Sequence, residues 1–444
     1  MTIVNVPNTV DLSPMDAVMT NIDVMILYIY KPTQNHSYNL EILKASFVES
    51  LNQDYPILNG ELHIDSERCG MLYVKLDPNK IATAAPFVTD LSCPQTTDQA
   101  LESLSYDFMP PAREGRHQLI TAKASVLSDG GLVIGLDFAH GVLDGEAAFT
   151  FVKVWARRYR RLTGTPPNEL GDPIKLNHDR RLLSGHGKRT CAPHPEFRVY
   201  ASTGEYLKLE AGPIPVPVND PPSTAQRIFH LSPDMLGRLK KLATESTTAP
   251  DYSYVSTIDS LTALLIVLIT QARGHGKDVR VATCVNARAH LHPPLPTNYV
   301  GNATFFALPT YKAAELASDN LVDTLRLVAR RVRESIVRTR DDQFLRDSMA
   351  FVSSQPDMSA VGVSTDFFFG PDLFFTSWVR MGAYDADFGG GKASYAGLPR
   401  LPVTDGLVVI TDPMYPEQDG LDVTVSLESK AMEAFRDHWQ SLAL

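Results

Sequence analysis

A histidine followed four residues later by an aspartate and a glycine is the pattern in this sequence with the clearest chemical meaning. Residues 131–145 read GLVIGLDFAHGVLDG and contain His140, Asp144 and Gly145. A neutral imidazole with an ordinary pKa of about 6.5 can take a proton from a hydroxyl while that hydroxyl attacks. The pattern therefore makes His140 a candidate general base, with Asp144 orienting either the loop or the ring.

The same spacing occurs a second time, where it indicates structure instead of chemistry. His230 and Asp234 enclose Leu-Ser-Pro, in which Ser232 is a good helix N-cap and Pro233 suits the first helical position. This second copy therefore predicts the start of a helix after a strand. It also shows that the spacing alone does not decide a function for His140.

Two regular elements must hold His140 in place. The apolar run before it predicts a buried strand over residues 131–138, and Phe149, Val152, Trp155 and Tyr159 follow at helical spacing, which predicts a helix over 146–162. A histidine at the end of a strand is carried by rigid backbone, as a general base requires.

The composition is typical of a soluble globular protein. The chain has 444 residues, enough for two domains, with 44% hydrophobic and 21% charged residues. Its net charge of −10 argues against nucleic acid or an anionic membrane as the main partner. We expect a monomer whose partners are small molecules.

The termini and cysteines suggest an intracellular location. The first residues lack the basic and apolar regions of a signal peptide, and the longest apolar run, 264–269, is too short to cross a bilayer. The four cysteines are scattered, without a Cys-x-x-Cys pair, so we expect reduced thiols and no metal site. The prediction is a cytoplasmic protein.

The order of the elements predicts an α/β protein, with mixed sheets in an α+β arrangement of layers. Prolines crowd the middle of the chain and exclude most regular structure there. We therefore predict an N-terminal domain over 1–175, a proline-rich crossover over 176–225 and a C-terminal domain over 226–444. Residues 12–16 are expected to form a polar turn, and residues 77–115 are weakly periodic.

Five segments, in order along the chain, resemble the BAHD acyltransferases of the chloramphenicol acetyltransferase-like superfamily. Residues 140–145, HGVLDG, resemble the His-x-x-x-Asp-Gly motif, and residues 387–391, DFGGG, resemble the second signature, Asp-Phe-Gly-Trp-Gly. Softer matches are YPILNG at 55–60, the NAR…PPLP…YVGN block at 286–302, and TSW at 376–378. The resemblance covers residues 12 to 430, nearly the whole chain.

The resemblance implies two chloramphenicol acetyltransferase-like domains with a channel between them, and transfer of an acyl group from acyl-CoA to an alcohol or amine. His140 would deprotonate the acceptor, which attacks the thioester directly in a ternary complex. The family aspartate, here Asp144, would pair with Arg288 and support the loop that ends at Gly145. Acyl-CoA is then a co-substrate, with no bound cofactor and no metal.

The resemblance also assigns residues of the second half. Thr376 and Trp378 match positions near the reacting carbonyl, where a hydroxyl and an indole N–H are suitable donors. Asp387 and Gly389 are expected to have a structural role, and Gly390 departs from the family tryptophan. The residues that bind CoA are unknown. Basic groups at 240–241 and on the helix 326–338 are candidates for its phosphates, although such charges are more often simply solvated.

The leading hypothesis is an O-acyltransferase that acts on a hydroxyl of a specialised metabolite, with acetyl-CoA as the favoured donor. The alternatives are an N-acyltransferase, a relative of peptide-synthetase condensation domains, and an inactive binding protein on the same scaffold. Condensation domains usually have a second histidine where this chain has Ala139. The intact set of His140, Asp144 and Arg288 argues against an inactive protein.

Overall fold

The computed structural model describes residues 8–33, 37–77, 87–113, 118–184, 193–200, 220–244, 254–318, 320–415 and 418–442. The strands in these ranges are β1 Thr9–Asp11, β2 Asp23–Tyr30, β3 Glu61–Asp65, β4 Met71–Lys75, β5 Phe87–Asp90, β6 Ile120–Val126, β7 Leu132–Ala139, β8 Phe197–Val199, β9 Thr224–Leu231, β10 Val279–Asn286, β11 Thr304–Ala307, β12 Thr310–Tyr311, β13 Val361–Val363, β14 Leu373–Ser377, β15 Tyr395–Gly397, β16 Leu407–Thr411 and β17 Leu421–Glu428. The α-helices are α1 Pro14–Val18, α2 Leu40–Gln53, α3 Thr97–Ser103, α4 Gly145–Leu162, α5 Pro233–Thr244, α6 Thr257–Arg273, α7 Ala313–Leu316, α8 Leu321–Thr339, α9 Asp342–Ser353 and α10 Ser429–Gln440.

The N-terminal sheet has five strands in the order β15-β2-β7-β6-β5, so β7, which ends just before His140, is its central strand. Strands β2 and β7 pair antiparallel over their full length, so that Asp23 lies opposite Ala139. Both strands are apolar and almost fully buried because helices cover both faces of the sheet. Helices α2 and α4 pack together over one face, and α3 contributes to a smaller cluster on the other. The predicted strand and helix around His140 are confirmed.

A second sheet in the order β11-β10-β14-β16-β17-β9 supports the other half of the molecule, and β12 also pairs with β10. Helix α6 starts at a capping box, in which Ser256 and Asp259 bond reciprocally to each other's backbone N–H groups. It is apolar and buried over most of its length, and α5, α8 and α10 pack around it. In the described ranges no helix is long and apolar enough to cross a membrane.

The two halves of the chain are interleaved. Strand β15, from near the C-terminus, joins the N-terminal sheet by pairing with β2, and β8 from the middle of the chain pairs with β13. The described part of the predicted crossover contains one short 3₁₀ turn at Arg180–Leu183, β8 and the first residues of β9, whereas residues 185–192 and 201–219 lie outside the described ranges. The division into domains at 175 and 226 stays a prediction.

The structure contains regular elements in three places where the sequence predicted none. Residues 12–16 are not a polar turn, because α1 begins at Pro14 with Ser13 as its N-cap and every residue of this helix is buried. The weakly periodic region contains β5 and α3, and α9 was not predicted at all. Strand β14 ends at Ser377, so Trp378 stands just beyond it.

Candidate active site

His140 stands at the end of β7 and at the wall of a cleft between the two sheets. Its backbone N–H donates to the Ile22 carbonyl (3.1 Å), so the N-terminal sheet still holds the backbone where β7 ends. The wall of this cleft is formed mostly by apolar side chains. These are Met19, Ile22, Val24, Met25, Phe367, Phe374, Leu398, Leu401, Leu407 and Val409.

The local electrostatics favour a neutral imidazole. Burial lowers the pKa of His140 below its ordinary value, against the opposing influence of a hydrogen bond to its own backbone, the Asp144 and Asp16 charges and the Asn302 side chain. A histidine that is neutral at physiological pH has a lone pair available to accept a proton. The site therefore holds its candidate base in the reactive protonation state.

Asp144 does not contact the His140 ring. Its carboxylate accepts hydrogen bonds from Arg288 Nη1 (2.7 Å) and Nη2 (2.9 Å). It also accepts the backbone N–H groups of Ala147 and Ala303, each at 3.0 Å. Burial would raise the pKa of Asp144, but the Arg288 guanidinium and these N–H donors lower it below its usual value. Asp144 is thus the N-cap of α4 and the bidentate partner of Arg288, which is the pairing that the family resemblance implies.

Thr376 and Trp378 line the same cleft as His140 and Gly145. The indole Nε1 lies 3.2 Å from where a Cβ on Gly145 would stand, so a side chain at that position would crowd Trp378. Among the described residues the indole N–H meets no hydrogen-bond acceptor, which leaves it available to a ligand. The Thr376 hydroxyl lies beside the Cys284 thiol, whose pKa burial raises to about 12, so this thiol stays protonated.

The second signature lies outside the cleft. Asp387 closes a tight turn by accepting the N–H groups of Gly389 (2.7 Å) and Gly391 (2.9 Å). Phe388, which follows Asp387, packs edge-on against Trp155 of α4, with ring centroids 4.9 Å apart. A Cβ at Gly390 would overlap the Tyr38 hydroxyl, so Tyr38 occupies the space next to this departure from the family tryptophan.

The basic groups considered for CoA binding are engaged within the protein. On α8, Arg326, Arg331, Arg333 and Arg338 each lie within 3.6 Å of an acidic side chain. Lys240 stands over the Tyr254 ring. Within the described ranges, no group of three or more His, Cys, Asp or Glu side chains is arranged to hold a metal ion.

Sequence reasoning missed Asn302, which contacts the imidazole, and the two charged residues behind it. Asn302 lies 2.9 Å from His140 Nδ1, and Asp16 and Arg180 lie immediately behind it. Asn302 was noted only as the last residue of the Tyr-Val-Gly-Asn block, without a role. The buried capping box of α1 is the signal that could have found Asp16, because Ser13 and Asp16 have capping-box spacing with a proline at the first helical position.

Comparison with known proteins places this geometry in a family. A family model described as "Transferase family" matches residues 5–442, which is almost the whole chain. The chain belongs to the BAHD acyltransferase family. It is 25% identical over 436 residues to a shikimate O-hydroxycinnamoyltransferase of Nicotiana tabacum, covering 95% of this chain and 93% of the relative.

Two further comparisons cover most of this BAHD enzyme. A hydroxycinnamoyl-CoA:5-hydroxyanthranilate N-hydroxycinnamoyltransferase of Avena sativa is 25% identical over 420 residues, covering 90% of this chain and 85% of the relative. The crystal structure of TRI101 of F. graminearum, complexed with coenzyme A and deoxynivalenol, superposes with a TM-score of 0.78 at 16% identity, covering 97% and 98% of the two chains.

These findings confirm the predicted fold and the general activity. The BAHD enzyme has mixed α/β layers in two chloramphenicol acetyltransferase-like domains. It is a CoA-dependent acyltransferase for which acyl-CoA is a co-substrate. The acyl group, the kind of acceptor and the roles of individual residues are the subject of the proposal below.

Proposed function

We propose that this enzyme transfers an acyl group from acyl-CoA to a hydroxyl of a small specialised metabolite, with His140 as the general base. The observation that carries the proposal is the cleft itself, which brings His140 from the N-terminal sheet together with Thr376 and Trp378 of the other half. A base and two hydrogen-bond donors around one cleft are the groups that acyl transfer from a thioester requires.

The chemistry takes place in one ternary complex. His140 Nε2 accepts the proton of the acceptor hydroxyl while the oxygen attacks the thioester carbonyl. The indole N–H of Trp378 and the hydroxyl of Thr376 donate to the oxyanion of the tetrahedral intermediate. The carbon–sulfur bond then breaks, and the departing CoA thiolate takes the proton back from the imidazolium. A thioester is already activated, so a covalent enzyme intermediate is not needed.

The identity of the acyl donor is a separate part of the proposal. Acetyl-CoA stays our prediction for the donor, whereas two relatives are named for hydroxycinnamoyl transfer. The apolar wall of the cleft suits the hydrocarbon part of a donor or acceptor of either kind. All the proposed site residues come from one chain, so we expect the monomer to be active.

The test is a matrix of donors and acceptors analysed by mass spectrometry. Acetyl-CoA, malonyl-CoA and p-coumaroyl-CoA are each incubated with alcohols, phenols and primary amines, and free CoA thiol is measured in parallel. We expect acceptor-dependent CoA release and a product whose mass increases by one acyl group on oxygen. Transfer only to amines would replace the O-acyl assignment with N-acylation. CoA release that never depends on an acceptor would contradict acyl transfer.

A further inference from the structure

The Asn302 side chain bridges two atoms of His140. Its amide nitrogen donates to the His140 carbonyl at 2.6 Å, and its amide oxygen lies 2.9 Å from the ring nitrogen Nδ1. Asn302 is fully buried, and it follows the Asn-Ala-Arg segment by fourteen residues on the other half of the chain. One side chain thus connects the candidate base with the C-terminal half.

A carboxylate determines which way this amide faces. Asp16 Oδ1 accepts both the backbone N–H (3.1 Å) and the side-chain amide (2.8 Å) of Asn302. The two hydrogens of the Asn302 amide therefore point at Asp16 and at the His140 carbonyl, which can only accept. A flipped amide would place its oxygen against both acceptors, so the oxygen must face the imidazole.

The orientation of the amide sets the tautomer of His140. The amide oxygen can only accept, so the neutral ring must carry its hydrogen on Nδ1 and leave the lone pair on Nε2. Asn302 also donates to the His140 carbonyl, so one amide fixes both the ring and the backbone of this residue.

Asp16 is itself fixed by a buried ion pair. Its second oxygen accepts Arg180 Nη1 at 2.9 Å and the Ser13 N–H at 2.8 Å, and both charged side chains are at least 96% buried. Arg180 also donates to the Val142 carbonyl at 2.7 Å, in the loop that follows His140. Breaking such a pair leaves an uncompensated buried charge, so this geometry resists displacement.

We propose that Asn302 is a positioning residue that fixes the tautomer of His140, and that the Asp16–Arg180 pair holds Asn302 in place. This inference rests on the proposed role of His140, which needs a free Nε2. Neither Asn302 nor Asp16 touches the reacting atoms in this scheme, and both act through the imidazole.

The other charged and titratable groups around His140 are each engaged separately. They are Asp144 with Arg288, Glu146 with Asn286 and Arg288, Asp23 with Arg113, and the protonated Cys284 thiol. None of these contacts involves Asn302, so a change at Asn302 leaves them in place. Because the Asn302 oxygen favours the protonated ring, its removal lowers the pKa of His140 further.

The direct test observes the tautomer in the resting enzyme. Long-range ¹H–¹⁵N spectra of histidine-labelled protein, assigned with His140→Ala, should show the hydrogen of His140 on Nδ1 in the wild type. In Asn302→Ala we expect a mixture of tautomers, a fall in kcat of about tenfold to a hundredfold, and KM values within about threefold. The acid limb of the kcat/KM profile should move to lower pH, an effect that simple loosening of the fold would not produce.

Asp259 offers a matched control for Asp16. Both are buried aspartates at the third position of a helix, both form a capping box with a serine, and both lie beside an arginine. Asp16→Asn and Asp259→Asn should each lower the melting temperature, but only Asp16→Asn should lower kcat and shift the pH profile. Equal behaviour of the two variants would overturn the role of Asp16.

The outcomes separate this proposal from the assignment of the base. Hydrogen on Nε2 in the wild-type enzyme would overturn the positioning role, even if the variants failed to fold. If His140→Ala were active, the assignment of His140 as the base would fail. The dependence of the His140 tautomer on Asn302 would still be observed in enzymes that retain the histidine.

Discussion

At the scale of residues, two buried aspartates lie near one histidine, and neither contacts its ring. Asp144 is saturated by Arg288 and two backbone N–H groups, and Asp16 reaches the imidazole only through the neutral amide of Asn302. A carboxylate in direct contact would raise the pKa of the imidazole strongly, whereas an amide oxygen raises it less. This arrangement keeps His140 neutral while it fixes the ring.

The lowered pKa of His140 predicts the pH dependence of the reaction. The base works only when it is neutral, so activity is lost as the pH falls through the pKa of the folded enzyme. Because burial lowers this pKa below the ordinary value of about 6.5, the acid limb of kcat/KM should bend below pH 6.5. The measurement is kcat/KM for the acceptor from pH 5 to 9. A limb centred above pH 7 would contradict the electrostatic account.

The sequence identified part of this residue network. His140, Asp144 and Arg288 were found because a compact motif and an ordered set of blocks contain them. Asp16 was overlooked because a five-residue helix has too little periodicity to distinguish it from a turn. The contact between Asn302 and His140 joins residues 162 positions apart, and no local pattern reports such a pairing.

At the scale of elements, the loop from β7 to α4 depends on the Asp144–Arg288 pair. Asp144→Ala removes the N-cap of α4 and leaves Arg288 buried without its partner, which should cost about 3–5 kcal/mol of unfolding free energy. Denaturant unfolding measures this loss, and activity should fall with it.

An exposed ion pair provides the control for this experiment. Asp11 and Arg68 lie 3.0 Å apart with about half of each side chain exposed, so Asp11→Ala should cost no more than about 1 kcal/mol. If Asp144→Ala cost as little as Asp11→Ala, the Asp144–Arg288 pair would not hold the loop.

The length of an element decides how well the sequence predicts it. Helices α4 and α8 were predicted because each has a long apolar stripe at helical spacing. The short β5 and α3 were missed because so few residues show little periodicity, although α3 begins at a capping box formed by Thr96 and Gln99.

At the scale of the whole molecule, the cleft exists only because the two halves of the chain close on each other. β15 crosses back to the N-terminal sheet, and Phe388 of the second signature packs on α4. Sequence order predicts two consecutive domains, but it does not reveal that a late strand completes an early sheet. β15 joins this sheet because β2 leaves one edge free for pairing, and that edge exists only once the sheet has folded.

The most direct test of the account is the turnover of His140→Ala with the donor and acceptor that the substrate matrix identifies, both at saturating concentration. His230→Ala is the control, because His230 lies near the end of β9, has the same spacing to an aspartate, and hydrogen-bonds Asp422 at 2.7 Å outside the cleft. We predict that His140→Ala keeps its fold and its binding of CoA but loses turnover by about 10²–10⁴-fold, while His230→Ala stays near the wild type. A His140→Ala enzyme that retained more than about a tenth of wild-type turnover would contradict the claim that this histidine is the general base.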